Sequence, residues 1–268
     1  MEEVSTATRL RHIGLQLLLV GGVLLLLAWQ QRADGHMHIY FLAVPGDAVL
    51  IETPHGRFVL IDGGSDPALL ALELSERMPF WRRELDGLLL TAGDGGRLPG
   101  QLAALQHYST PFALAPPELP ANENSREWRR LLQAQGARLR PLQAGAHMQL
   151  DGLRITVPAA DSEALAIRID YGETSVLLYN AAGPDLDAAA LATARPVSLL
   201  AYPWTRDFNA PLLAALQPQA IVFTEAYHAR SAALMTMHER ALGGAAVYHP
   251  DLDGTIEWIS NGRRWSIP

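Results

Sequence analysis

From residue 39 onward the chain runs in short apolar blocks separated by glycine, proline and acidic residues. Blocks rich in Val, Ile, Leu, Phe and Tyr read as strands over 39–44, 48–53, 58–61, 85–90, 112–115, 153–157, 164–170, 175–179, 197–202, 220–224, 245–248 and 255–259. Helix-like runs cover 67–78, 100–107, 125–135, 185–194, 210–216 and 231–242. Ser125 is placed to cap an N-terminus, and Pro211 suits a first turn. Gly136 and Gly243 fit helix ends, where a positive φ is often required. Strand hairpins come first and strands then alternate with helices, the pattern of two mixed sheets packed face to face with helices outside.

A different pattern precedes these blocks. Residues 13–29 are apolar or glycine apart from Gln16, and as a helix they span about 25 Å, the short end of what a bilayer core requires. Arg11 and His12 flank one end, and Trp29, Gln30, Gln31 and Arg32 the other, with Trp29 suited to the headgroup layer. The chain thus divides into a tail (1–12), a membrane helix (13–29), a linker (30–36) and one folded domain (37–268). A cleavable signal peptide is the competing reading. Its apolar region would be shorter, and the exit A-W-Q-Q-R lacks a small-x-small pair. Arg9 and Arg11 before the span, against Arg32 after it, favour a cytoplasmic N-terminus and an extracytoplasmic domain.

Composition narrows the chemistry. With 268 residues and 49% apolar content the chain can bury a sizeable core. A net charge of −7 argues against nucleic acid as a standing partner. Arg126, Arg129, Arg130, Arg138 and Arg140 form a local basic group, read as the solvated face of helix 125–135 and of the strand after it. All 21 basic residues are arginine and there is no cysteine, so lysine and thiolate chemistry are both excluded.

Three motifs carry a resemblance. From Met37 the chain reads M-H-I-Y-F-L-A-V-P-G-D-A-V-L-I-E-T-P-H-G-R-F-V-L-I-D-G-G; a later strand ends in Leu90-Thr91 and passes into A-G-D-G-G-R; V-Y-H-P-D-L-D-G-T-I-E-W follows from Val247. Over roughly 37–265 this resembles the metallo-β-lactamase-like domain at the C-terminal end of ComEC-type DNA-uptake proteins. The resemblance implies an α/β (α+β) fold, the αββα sandwich. In that family the threonine is followed by H-x-H-x-D-H; here Ala92, Asp94, Gly96 and Arg97 stand at the four ligand positions. The family's T-G-D turn falls on Tyr179-Asn180-Ala181-Ala182, so that Ala181 replaces an acid, and its P-H-H-G-S loop falls on Pro203-Trp204-Thr205-Arg206. Trp204 and Thr205 thereby replace histidines, and Ser231 and Ala233 lie where a last H-P-H is expected.

Such enzymes hold zinc-like ions with imidazoles and carboxylates, and the bound water becomes the nucleophile. Alanine and glycine offer no donor, and Arg97 brings a permanent positive charge where a cation should sit. Only Asp94 retains a donor, and one carboxylate is not a site. No catalytic residue, metal or other cofactor is expected. The expected role is a structural or accessory subunit, held by membrane lipid through 13–29 and docked on other membrane proteins. An active hydrolase with an unfamiliar metal set, drawing on Asp94 and scattered histidines, is the alternative; a ligand-binding sensor using the old cleft is a third.

Some residues invite separate readings. Asp62-Gly63-Gly64 suits a structural turn in which the carboxylate at the strand end accepts backbone N–H bonds from the Gly63-Gly64 turn that follows it. His36-x-His38 has metal-ligand spacing on a strand, while His107 reads as a helix-terminal residue and His147 as a loop residue. His228, His238 and His249 are spread through the last forty or so residues. Trp204 and Arg206 fit either contact anchors at the mouth of the vacated cleft or a filled core or capped pocket. Neither a G-x-S-x-G elbow nor a P-loop is present.

Overall fold

The structure, a computed structural model, describes residues 12, 15–23, 32–179, 190–191, 193–206, 210–225 and 244–268. The first sheet is built from β1 (Met37–Phe41), β2 (Ala48–Glu52), β3 (Phe58–Asp62), β4 (Gly87–Leu89), β5 (Phe112–Ala115) and β6 (Arg138–Pro141), joined by β14 (Ile256–Ser260) and β15 (Trp265–Ser266). Its order is β15-β14-β1-β2-β3-β4-β5-β6. The second contains β7 (His147–Leu150), β8 (Leu153–Ala160), β9 (Leu165–Tyr171), β10 (Thr174–Leu178), β11 (Leu199–Pro203), β12 (Ala220–Thr224) and β13 (Ala246–Tyr248), in the order β13-β12-β11-β10-β9-β8-β7.

Apolar residues on both faces of a strand mean that both faces are covered. Val49, Ile51, Val59 and Ile61 point between the sheets, where they meet Ile155, Ile167, Val176 and Val222. Their sequence neighbours Ala48, Leu50, Phe58 and Leu60 point outward, against Leu70 and Leu74 of α1 (Pro67–Arg77), Leu105 of α2 (Leu98–His107) and Trp128 of α3 (Glu123–Ala134). On the far side, Leu212, Leu213 and Leu216 of α4 (Ala210–Leu216) cover Tyr179, Tyr202 and Phe223. The layering is therefore helix, sheet, sheet, helix.

Local chemistry sets the boundaries. The Asp66 carboxylate accepts from Ala68 N and Leu69 N at the start of α1, a cap of the kind that contributes roughly 1 kcal/mol. Helix α3 begins before Ser125, because Asn122 is its cap and accepts from Ser125 N at 2.8 Å. Ser125 itself is buried in the first turn. Gln101 of α2 donates to Leu89 O (2.7 Å) and accepts from Trp128 Nε1 (3.0 Å), which fixes α2 and α3 to β4. Gly136 follows α3 with φ +69°, as a helix end requires.

The hydrophobic pattern does not show β7, β15 or the short helix α5 (Pro250–Asp253), each of which has few apolar positions. His147, expected in a loop, opens β7. The helix expected over 185–194 lies mostly, and that over 231–242 wholly, outside the described residues, as does Gly243. Of the expected membrane helix, residues 15–23 are described and helical, with Leu15, Leu17, Leu18 and Leu19 exposed. Among the described residues no helix is long and apolar enough to cross a membrane; the other residues of 13–29 lie outside them.

Strands β3 and β4 are parallel neighbours, as are β11 and β12. Beyond the carboxyl ends of β3 and β12, Gly64 N donates to Asp47 O (2.8 Å) and Glu225 N to Asp47 Oδ1 (3.3 Å), which joins both ends to the β1–β2 turn.

Candidate functional site

Asp62 closes β3 in a left-handed conformation (φ 57°) and is fully buried. Aspartate tolerates this region better than most residues. Its carboxylate receives Thr91 N at 2.7 Å and Thr91 Oγ1 at 2.5 Å, so these bonds come from just beyond the neighbouring strand β4 and not from the following turn, where they were expected. Thr91 O in turn accepts from Leu165 N of the second sheet (2.8 Å). The next turn is tied by Asp94, whose Oδ1 accepts from Gly96 N (2.8 Å) and whose carbonyl accepts from Leu98 N (3.1 Å). That turn delivers Arg97, immediately before α2, into the interior.

Arg97 is only 7% exposed. Its Nη2 pairs with Asp47 Oδ2, its Nη1 donates to Asp94 Oδ2, and its Nε stands 3.9 Å from Asp62 Oδ2. One guanidinium thus sits among three carboxylates, in the place of a central cation. Asp47, also buried, receives Glu225 N at 3.3 Å, while its own N–H donates to Gly96 O at 3.0 Å. Burial pushes the Asp62 carboxyl up to about 7, with Asp47 adding to the rise and Arg97 and the two Thr91 bonds opposing it. Although burial disfavours its charge, the three acids hold Arg97 above the usual guanidinium value.

The loops of the second sheet close the other side. Trp204, at 3% exposure, is not a rim residue; it packs edge-on against Phe223 (5.2 Å between ring centroids) and His249 (5.8 Å). This is a correction to the contact-anchor reading and agrees with core filling, since an indole that follows a wholly buried strand has apolar neighbours to pack on. Thr205 Oγ1 donates to Glu225 Oε2. Arg206 is half-buried, with its guanidinium carbon 6.0 Å from the Tyr202 ring centroid. Ala181, Ser231 and Ala233 lie outside the described residues.

A metal ion of the kind implied by the resemblance does not fit the described residues. Ala92 bridges to Ala164 and packs on the apolar cluster around Trp204. Gly96 has only backbone groups, and its N–H and carbonyl are bonded to Asp94 and Asp47. Asp94, Asp62 and Asp47 all face a guanidinium that cannot be deprotonated at physiological pH. Among the described residues no group of three or more histidines and carboxylates is placed to hold a metal ion.

The histidines have other partners. His38 is set between Glu257 (2.7 Å) and Asp34 (3.1 Å), and Asp34 also meets His36 at 3.1 Å. Burial opposes charge on His38, yet Glu257 and Asp34 raise its pKa. His107 is the last residue of α2. His249 caps α5, accepting from Asp251 N at 3.1 Å. His228 and His238 lie outside the described residues.

Asp47 and Glu225 were not evident from the hydrophobic pattern or the ligand spacing. The available signal was an acid directly before the buried run A-V-L-I and another directly after A-I-V-F-T, both at strand ends.

No protein-family model and no curated protein sequence matches this chain. Solved structures do match. The metallo-β-lactamase fold protein YhfI from Bacillus subtilis superposes with a TM-score of 0.61 at 13% identity, over 85% of this chain and 100% of that one. CmlA, a diiron β-hydroxylase from Streptomyces venezuelae, gives 0.54 at 13% identity, over 80% of this chain and 53% of that one. A diphosphatase from the PhnP family gives 0.51 at 15% identity, over 79% and 94%. At these identities the likeness concerns architecture: the chain has the metallo-β-lactamase-like fold, with two mixed sheets and flanking helices.

Proposed function

We propose that this chain is a single-pass, membrane-anchored protein whose metallo-β-lactamase-like domain has given up metal-dependent hydrolysis. Its role in this reading is that of a structural or accessory subunit docked on other membrane proteins. The observation that carries it is Arg97, buried among Asp47, Asp62 and Asp94, where a permanent cation from the chain neutralises carboxylates that would otherwise attract a metal ion. Fold alone does not decide function, so the activities of the structural neighbours are not transferred. The motifs at both ends of the domain support descent from a ComEC-type domain, and the apolar run 13–29 supports an anchor. The net charge of −7 speaks against a nucleic-acid partner. Arg9 and Arg11 favour an extracytoplasmic domain.

Two assays on the full chain test this reading. Alkaline carbonate washing should leave the protein in the membrane pellet, whereas a chain lacking residues 13–29 should wash off. Chromogenic phosphodiesters and esters should be hydrolysed no faster than in buffer when Zn²⁺ or Mn²⁺ is added. Metal-stimulated turnover that disappears in Asp94→Asn would reinstate the hydrolase alternative.

A further inference from the structure

The two sheets part at one side. Edge strand β6 of the first sheet and edge strand β7 of the second leave between them a cleft of about 380 Å³, within the range of small-molecule pockets, about 300–1,000 Å³. Its floor is the inter-sheet core itself, with Leu114, Ile155 and Val157, and Met148 of β7 lies along one wall.

The rim carries the opposite chemistry. In the β5–β6 ladder Arg138 lies beside Phe112 and Arg140 beside Leu114. Phe112 and Leu114 face the space between the sheets, so both arginines stand on the core-facing side of β6, and both line the cleft. Neither pairs with a carboxylate among the described residues, and both are exposed. Two uncompensated guanidiniums above an apolar slot form a site for a molecule with one apolar chain and an anionic end.

Other occupants fit less well. A partner strand adding to β6 would meet the sequence R-L-R-P, which ends in a proline without an N–H and carries inward charges, two features that block edge pairing.

We propose that this cleft binds a single-chain anionic amphiphile of the fatty-carboxylate class, with the alkyl chain on Leu114, Ile155 and Val157 and the carboxylate held by Arg138 and Arg140. Guanidinium and carboxylate match in bidentate geometry. The site shares no lining residue with the Arg97 cluster.

The probe is laurate labelled with ¹³C at the carboxyl, titrated by NMR into the full chain held in a lipid-free amphipathic polymer. Saturable binding at one laurate per chain is expected. The double variant Arg138→Gln/Arg140→Gln should weaken binding by at least about tenfold, and dodecanol, which has the same chain without the charge, should compete at least about tenfold more weakly. Because both arginines are exposed, the double variant should keep the wild-type circular dichroism. Ala146→Phe, which fills the cleft and leaves the arginines in place, should abolish binding. Absence of saturable laurate binding would overturn the proposal, as would equal affinity for laurate and dodecanol. Unchanged binding in Ala146→Phe would place the laurate on another surface and overturn it as well.

Discussion

Replacing Arg97 by methionine is expected to destabilise the protein by about 3–5 kcal/mol near pH 8, the usual cost of leaving buried charges without their partner. For a chain of this size that corresponds to a loss of roughly 6–20 °C in melting temperature. The guanidinium serves Asp47, Asp62 and Asp94 together, and the first two are buried. Methionine fills much of the volume but leaves those carboxylates with only their hydrogen-bond donors.

The loss should depend on pH in a defined direction. Asp62 titrates near 7 when folded and near 3.9 when unfolded. Between these values the native state holds a proton that the unfolded chain has released, so stability falls as pH rises through this window and levels off above it. Without Arg97, one opposing pull on the Asp62 carboxyl is gone and its folded pKa moves higher. The variant should therefore keep losing stability above pH 7, where the wild type is level, and its deficit should be smaller at pH 5 than at pH 8. Adding Asp62→Asn to the variant should recover part of the deficit. Urea unfolding at the two pH values reads all three quantities, and a variant as stable as the wild type at pH 8 would remove Arg97 from its central position.

Gly100→Ala should destabilise by about 3 kcal/mol, at the upper end of typical overpacking costs, although helix propensity alone favours alanine by about 0.8–1.0 kcal/mol. A Cβ at this position of α2 would stand 1.7 Å from Gly63 O and 2.8 Å from Leu70 Cδ2. The first contact is with backbone, so no rotamer change relieves it. Gly63 is equally confined, its own Cβ direction pointing at Gln101 N, 2.4 Å away. The Gly100 N–H also donates to Gly64 O at 3.1 Å. This contact holds the first turn of α2, and with it Arg97, against the end of β3. Gly95→Ala is the control, for nothing lies within 4 Å of its Cβ position, and it should be close to neutral. A Gly100→Ala protein whose urea midpoint equals or exceeds that of the wild type would show that α2 is not seated in this way.

The parts of the fold that were legible share a physical cause. Strands β5 and β12 and helix α4 match the hydrophobic pattern to the residue, over 112–115, 220–224 and 210–216, because their apolar runs are bounded by proline or polar residues. Edge strand β7 was not legible, since H-M-Q-L has one covered face and few apolar positions to mark it. At the site, counting from Thr91 was enough to put Arg97 where a ligand would stand. Its three acids were not legible as a set. Asp47 directly precedes β2 and Asp62 ends β3, and only the pairing of these strands brings both to one guanidinium. Trp204 was ambiguous because an aromatic after a buried strand suits either a rim or a core, and only the packing of Phe223 and His249 decides.

The most direct measurement of the central claim is metal content by mass spectrometry on the full chain, loaded with Zn²⁺ and Mn²⁺ and then desalted. The account predicts less than about a tenth of an ion per chain, since Asp94, the one carboxylate at the ligand positions, is held by Arg97. One or two tightly retained ions, the stoichiometry of catalytic sites in such folds, lost on Asp94→Asn, would contradict it.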